Sequence, residues 1–235
     1  MTSARVALVT GSAGGLGQAL VAGLGGAGWE IAAATHRGGA FAADLADPEQ
    51  GRSLVARVIE RYGRLDLLVA NHAAMTMAPV DQYPLDDWWR VVDANLSGSF
   101  YLARAAVAHL RTTRGAIVFV SSEWGITGWP DASAYAASKA GLVGLTRALA
   151  RELAPVIRVN AIAPGIIDTP QLGVDAGAAG ISLSEMKSRY ADAIPLRRIA
   201  TPAEIAATVA FLASDDAAFY TGQVLHPNGG TTTAS

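Results

Sequence analysis

Tyr135 and Lys139 stand four residues apart in the run Tyr-Ala-Ala-Ser-Lys. On a helix that spacing puts both side chains on one face, so a phenol and an ammonium can act on a single substrate oxygen. A nearby cation favours phenolate and draws the phenol pKa down from about 10, which lets it exchange a proton as general acid or base. The competing reading is a chance pair on an exposed helix face. Against it, the chain carries its positive charge almost entirely as Arg, with Lys139 and Lys187 its only lysines. A compact ammonium and a guanidinium are not interchangeable. Ser122 lies thirteen residues before the tyrosine, after an apolar run ending at Ser121. Its hydroxyl either points into a ligand crevice at a strand end or caps the following turn. Asn95, in Val-Asp-Ala-Asn-Leu, is a polar residue within an amphipathic helical stretch. By itself it reads best as a buried amide satisfied by backbone.

A second chemistry-bearing stretch is Thr10-Gly11-Ser12-Ala13-Gly14-Gly15-Leu16-Gly17, placed between an apolar run and a helical pattern. Strand, glycine-rich turn and helix N-terminus together make an anion site, where backbone can approach a pyrophosphate and free N–H groups face it. Many of the 25 glycines mark ordinary turns, so the argument rests on the strand before the loop and the helix after it. The spacing is Gly-x-x-x-Gly-x-Gly and departs from the commoner Gly-x-Gly-x-x-Gly.

These residues need a scaffold, and the patterning supplies one. Residues 5–10, 31–35, 65–70, 116–121 and 157–162 are almost continuously apolar, as strands covered on both faces are. Between them, residues 16–27, 48–62, 84–110 and 134–153 have helical length and pattern. The alternation predicts a doubly wound parallel sheet with helices on both faces, about seven strands in one Rossmann-type α/β domain over 1–235. Ligands would bind beyond the strand C-terminal ends. Residues 171–180, rich in Gly and Ala, read as a surface loop or as the start of a mobile substrate lid over about 171–199.

The 235 residues are 51% hydrophobic and 16% charged, with a net charge of -2 and no block of like charges. A nucleic-acid or anionic-membrane partner would need a basic stripe, which is not visible. With no cysteine there is no disulfide or thiolate metal site, and four scattered histidines share no metal-binding spacing. No apolar run is long enough to span a membrane, and a cytoplasmic protein is expected.

Taken together the chain resembles the short-chain dehydrogenase/reductase family along essentially its whole length. The matching residues are Thr10-Gly-x-x-x-Gly15-x-Gly17, Asn95, Ser122, Tyr135-x-x-x-Lys139, Asn160-Ala-Ile-Ala-Pro164-Gly165-Ile-Ile-Asp-Thr169, and Thr221-Gly222-Gln223 with Gly229-Gly230. The resemblance implies hydride exchange between a nicotinamide cofactor and a carbonyl or secondary alcohol. Tyr135 would give the proton in reduction and take it in oxidation. Lys139 would hold the nicotinamide ribose and depress the tyrosine pKa. Ser122 would hydrogen-bond the substrate oxygen, and Asn95 would tie a water into a proton relay through Lys139. Gly11, Ser12, Gly15, Leu16, Gly17, Asn71, Pro164 and Gly165 would line the cofactor, with the Ile167 amide and Thr169 hydroxyl on its carboxamide. A homotetramer built on the helix at 134–153 and the C-terminal strand is also implied.

Two stretches depart from the family pattern. His72 replaces a small residue in Ala70-Asn71-His72-Ala73 and is either structural or a substrate contact. His226-Pro227-Asn228-Gly229-Gly230 stands for Val-Asp-Gly-Gly and is expected to alter a subunit contact more than chemistry.

In the family, an Asp ending the second strand selects NAD, whereas a small residue followed by Arg accepts the 2′-phosphate of NADP. Here Thr35 takes the Asp position, followed by His36 and Arg37, and no acid lies between Glu30 and Asp44. NADPH is favoured over NAD, although Arg37 could equally be a solvated turn residue and Gly14 stands where many NADP users carry a second base. Asp44-Leu45 would sit against the adenine. The residues from Arg37 to Phe41 are too few for the usual crossover helix, so a glycine turn must replace it. That short crossover is similar to some 3-oxoacyl thioester reductases. Glu123, Trp124, Trp129 and the lid are candidate substrate contacts, and Glu123 could instead cap a turn. Arg197 and Arg198 could steer an acidic carrier or be solvated surface. The readings are an NADPH-dependent ketone or 3-oxoacyl reductase, an NAD-dependent alcohol dehydrogenase, or a nucleotide-binding regulator without turnover. The intact Asn95, Ser122, Tyr135, Lys139 set speaks against the last.

Overall fold

The computed structural model describes residues 4–232. Its strands are β1 (Val6–Thr10), β2 (Glu30–Ala34), β3 (Leu67–Ala70), β4 (Ala116–Val120), β5 (Arg158–Ile162) and β6 (Val224–Leu225). They form one sheet in the order β2-β1-β3-β4-β5-β6, and every pairing is parallel. The order reverses between β1 and β3, which opens a crevice beyond the C-terminal ends of those strands.

Side chains alternate across the sheet as strand geometry requires. Leu8, Leu68, Ile117, Phe119, Val159 and Ala161 belong to the core cluster on one face. Ala7, Val9, Leu67, Val69, Val118 and Ile162 belong to the cluster on the other. The first face is covered by α2 (Pro48–Tyr62), α4 (Gly98–Thr113) and α6 (Ser133–Leu153), with α3 (Leu85–Val92) packed on α6. The second is covered by α1 (Gly15–Gly26) and α9 (Pro202–Ala213). A single turn, α5 (Trp124–Thr127), follows β4, and α7 (Gln171–Ala178) and α8 (Leu183–Ala193) follow β5.

The sequence reading differs from this at three places. Among the described residues six strands form, not about seven. The missing one is reduced to a single bridge between Thr35 and Ala42. Gly38 and Gly39, both left-handed at φ +75° and +85°, fold the chain straight back. Arg57 from α2 fastens the turn by donating to the Ala40 and Ala42 carbonyls at 2.7 and 2.8 Å. The stretch predicted as one helix over 84–110 is interrupted by a π-helical turn, Asp93–Ser97. Finally, α7 and α8 occupy the segment read as loop or lid, and α9 was not anticipated. A legible signal for α9 was present: Thr201 and Glu204 make a reciprocal capping box, with Pro202 at the first helical position.

Candidate active site

β1 ends at Thr10 and the chain turns through Gly11 into α1. Gly11 is left-handed at φ +63° and a Cβ there would lie 2.9 Å from the His72 Cα. A Cβ on Gly17 would fall 2.1 Å from the Gly11 carbonyl oxygen, and one on Gly15 would fall 2.9 Å from Thr169 Cβ. Only glycine allows the loop to close on α1 in this way. The first turn of α1 carries no acidic residue, and Gly14 gives it no side-chain cap. Its N–H groups and the positive end of the helix dipole are therefore available to an anion, which fits a dinucleotide pyrophosphate. Ser12 supports the turn by donating its Oγ–H and its backbone N–H to the Ala34 carbonyl, both at 3.0 Å.

The loop forms one wall of a cleft of about 490 Å³. Gly11, Gly15, Leu16, Gly17, Thr35, His36, Asn71, Ser122, Tyr135, Lys139, Pro164, Gly165, Ile167 and Thr169 all line it. Ser12, Arg37, Asp44, Leu45 and Asn95 do not. Arg37 is exposed on the glycine turn. Asp44 is exposed and accepts from the Ala46 N–H, while Leu45 is buried in the core. Thr35 directs its hydroxyl at the Arg37 and Gly38 carbonyls, 3.2 and 2.6 Å away. The β2 edge thus presents neither a carboxylate nor an inward guanidinium.

At the other end, α6 carries Tyr135 and Lys139 on the face turned toward β4. Lys139 is 2% exposed, and its Nζ donates to the Val120 carbonyl at 2.7 Å. The ammonium lies 5.5 Å from the Tyr135 ring centroid. Burial pushes the Lys139 pKa down from 10.5 to about 8. The Tyr135 pKa is raised, first by burial, with the Ser122 hydrogen bond pulling the other way. The Lys139 ammonium is directed at the Val120 carbonyl and is not among the groups that shift the phenol here. The phenol is therefore held protonated.

Ser122 accepts the Trp124 N–H at 3.2 Å, so it both caps that turn and faces the phenol. Its neighbour Ser121 points back into the protein and donates to the Lys139 carbonyl at 2.8 Å.

Asn95 sits in the π turn, a local irregularity that often marks functional positions. Its Oδ1 accepts from Ala74 N at 2.7 Å, and its Nδ2 donates to the Ala74 carbonyl and to Ser138 Oγ, both at 2.9 Å. Ser138 in turn donates to the Tyr135 carbonyl at 2.7 Å. The side chain is a buried amide satisfied by the Ala74 backbone and by Ser138, and it ties the segment after β3 to the Tyr135–Ser138 turn of α6.

Asn71 holds the same segment to the loop through bonds to the Thr10 and Gly11 carbonyls at 3.1 and 3.2 Å. His72 does not line the cleft. Thr10 Oγ1 accepts from the N–H groups of Asn71 and His72 at 3.0 and 3.3 Å. With both lone pairs engaged the hydroxyl must donate, and His72 Nδ1 at 2.7 Å is nearer than the Val69 carbonyl at 3.3 Å. His72 is thus the Nε2–H tautomer, a structural residue. Burial, assisted by the Lys139 charge, lowers its pKa from 6.5 to about 3.

After β5 the chain passes through Pro164 and Gly165 to a bridge between Ile167 and Ala200. Asp168 N–H and Ala200 N–H make the flanking bonds at 2.8 and 3.2 Å. The Ile167 N–H finds no partner among the described residues, which suits an amide-binding role at this wall. Lys187 of α8 pairs with Asp168 at 2.8 Å, anchoring the helical segment over the cleft.

Glu123 was read as a turn cap or a substrate contact, and its side chain does not cap the turn. It is 8% exposed, and its Oε1 accepts from Thr231 Oγ1, from Thr232 Oγ1 at 2.5 Å and from Asn228 Nδ2 at 3.4 Å. The unusual Asn228 is buried behind Glu123 and does not itself line the cleft. Arg198 is held by Glu204 at 2.6 Å, and Arg197 donates to the Asp192 carbonyl at 2.7 Å. Both are engaged within the protein. Among the described residues no cluster of His, Cys, Asp and Glu could hold a metal ion. Nor is any helix of the described residues long and apolar enough to cross a membrane.

Residues 18–232 match the family model described as enoyl-(acyl carrier protein) reductase. The chain is 39% identical to the 3-oxoacyl-[acyl-carrier-protein] reductase FabG of Thermotoga maritima, over 81% of this chain and 75% of that one. It is 38% identical to the cis-4-hydroxycyclohexanecarboxylate dehydrogenase of Sinomonas cyclohexanicum, over 97% and 96% of the two chains. A solved structure, the ligand-free aldohexose dehydrogenase of Thermoplasma acidophilum, superposes with a TM-score of 0.95 at 30% identity, covering 99% of this chain and 96% of that one.

Proposed function

Since the chain belongs to the short-chain dehydrogenase/reductase family and is an oxidoreductase of CH–OH groups, we propose that it reduces a ketone or 3-oxoacyl thioester with NADPH. The observation carrying this reading is the convergence of Ser122, Tyr135 and Lys139 with the uncapped glycine loop in one cleft. The nicotinamide, when bound, supplies the hydride. Tyr135, protonated because burial raises its pKa, delivers a proton to the substrate oxygen as charge develops there. Ser122 donates a hydrogen bond to that oxygen. Lys139 keeps a positive charge beside the phenol, stabilising the phenolate left behind, and would hold the ribose.

Asn95 acts through others: it keeps the Ala74 segment against Ser138 and so fixes the α6 turn. A water held by this assembly would return the proton through Lys139. Gly11, Gly15, Leu16 and Gly17 would hold the pyrophosphate, with Ser12 bracing the loop through the Ala34 carbonyl, Asn71 the adjoining wall, and Pro164, Gly165, Ile167 and Thr169 the carboxamide.

The NADPH preference is supported by what the β2 edge lacks. Without a carboxylate at Thr35 there is no acceptor for the adenosine ribose hydroxyls and no repulsion of a 2′-phosphate. His36 lines the cleft beside it, and Arg37 on the glycine turn would swing in as the phosphate binds. We place the enzyme in the cytoplasm as a homotetramer, with residues 171–199 as its substrate lid. A monomer by light scattering would reject the assembly.

Thermal stabilisation by NADPH and NADH, followed by turnover on a carbonyl panel, tests the proposal. NADPH should stabilise more strongly, and Tyr135→Phe should lower kcat by roughly 10²–10⁴-fold. Stronger stabilisation by NADH would overturn the cofactor preference, and full turnover by Tyr135→Phe would overturn the mechanism.

A further inference from the structure

The substrate end of the cleft has an uneven chemistry. Glu123 lies directly after Ser122, is nine-tenths buried, and has no cation beside it. Its charge is met by the hydroxyls of Thr231 and Thr232 and the amide of Asn228, all on one oxygen, Oε1. The other oxygen, Oε2, receives no hydrogen bond among the described residues. It is also absent from the buried polar atoms left without a partner, so it is not sealed inside protein. Glu123 lines the cleft. A carboxylate with one oxygen saturated and the other open is an acceptor fixed in place, because Oε1 cannot turn without breaking its bonds to the C-terminal segment.

A second acceptor comes from α7. Asp175 lines the same cleft beside Tyr190, and its Oδ1 accepts from Gln171 Nε2 at 2.9 Å. Among the described lining residues the only side-chain cation is Lys139, fixed on the Val120 carbonyl, while His36 stands at the β2 end. Lys187, Arg197 and Arg198, all on the lid segment, already have protein partners. A carboxylate or phosphate on the substrate would therefore meet acceptors with no counter-charge. The remaining wall is aromatic. Trp124 lines the cleft, stacks on Trp129 at 4.9 Å and 8°, and stands edge-on to Tyr135 at 5.9 Å.

We propose that Glu123 is a specificity-determining residue whose Oε2 accepts a hydrogen bond from a substrate hydroxyl beyond the reacting carbon, so that the enzyme prefers neutral hydroxylated carbonyls or alcohols to anionic ones. The inference rests on the oxidoreductase reading above and names the substrate class of that same site.

The test compares matched substrates: a cyclic ketone, its analogue with a hydroxyl on a neighbouring ring carbon, and its analogue with a carboxylate there. A charge-assisted hydrogen bond made only by the hydroxylated substrate should raise its kcat/KM over the plain ketone by roughly tenfold or more. The carboxylate analogue should fall below the plain ketone. In Glu123→Gln an amide can still accept from Thr231 and Thr232 but offers the cleft a neutral donor in place of a charged acceptor, so the hydroxyl preference should fall to a few-fold at most. Turnover of the plain ketone without a hydroxyl preference in the unmodified enzyme would overturn the inference while leaving the reductase reading intact. A preference that survives Glu123→Gln would also overturn it. Absence of turnover on all three, with NADPH bound, would instead count against the reductase reading on which the inference stands.

Discussion

The buried charge of Lys139 should be readable as a pH-dependent stability. The group ionises near 10.5 in an unfolded chain and at about 8 in the fold. Between those values the unfolded state holds more protons, so stability rises with pH across this window and is lowest below about 8. A shift of this size corresponds to about 3 kcal/mol, charged form against neutral. Lys139→Met removes that cost at pH 7 but leaves the Val120 carbonyl without its donor, which costs about 1–2 kcal/mol. The variant should therefore be about 1–2 kcal/mol more stable than the parent at pH 7 and less stable by a similar amount above pH 10.5. The two stability curves should cross near pH 9. Urea and thermal unfolding at half-unit pH steps measure the curves. The parent should gain roughly 5–10 °C in Tm relative to the variant between pH 8 and 10.5. Parallel curves would show that Lys139 titrates as an ordinary surface lysine, and the physical account of the site would be wrong. The position would then also lose its claim as a charge held ready beneath the phenol.

Two further outcomes follow from the geometry. Gly17→Ala must move the loop, because its Cβ would sit 2.1 Å from the Gly11 oxygen, whereas Gly25→Ala in the same helix meets nothing within 4 Å. The first should destabilise by about 1–3 kcal/mol and weaken NADPH binding at least about tenfold, while the second should stabilise by about 0.5–1 kcal/mol. Equal behaviour of the pair in thermal shift and cofactor titration would contradict the loop geometry. His72 is held neutral, with its pKa lowered from 6.5 to about 3. The unfolded chain binds the extra proton first, so stability should be full above pH 6.5 and fall by up to about 4 kcal/mol on acidification toward pH 3. His72→Asn should lack that steep acid limb in urea midpoints measured at pH 4 and 7; an unchanged limb would remove His72 as its cause.

Much of this protein can be read from local pattern. Apolar runs at regular intervals specify a parallel sheet, because a strand covered on both faces has no polar side to alternate. The spacing of Tyr135 and Lys139 places them on one helical face, and the shortage of residues after Arg37 forbids a crossover helix. Short-range constraints of this kind travel with the sequence itself.

What needed the tertiary structure was set by residues far apart in the chain. Burial is one case: the Tyr135 phenol is raised and Lys139 lowered because β4 and α6 seal them from water, and no spacing rule reports desolvation. The reduced strand is another, since the Thr35–Ala42 bridge is held by Arg57 from α2. The inference about Glu123 is the clearest, because its partners lie more than a hundred positions away at Asn228, Thr231 and Thr232. In sequence, Glu123 was an acid of two possible uses and Asn228 an oddity near the C-terminus. Only the fold, by bringing the chain's end behind the strand that leads to Ser122, joined them by a hydrogen bond at the wall of the cleft.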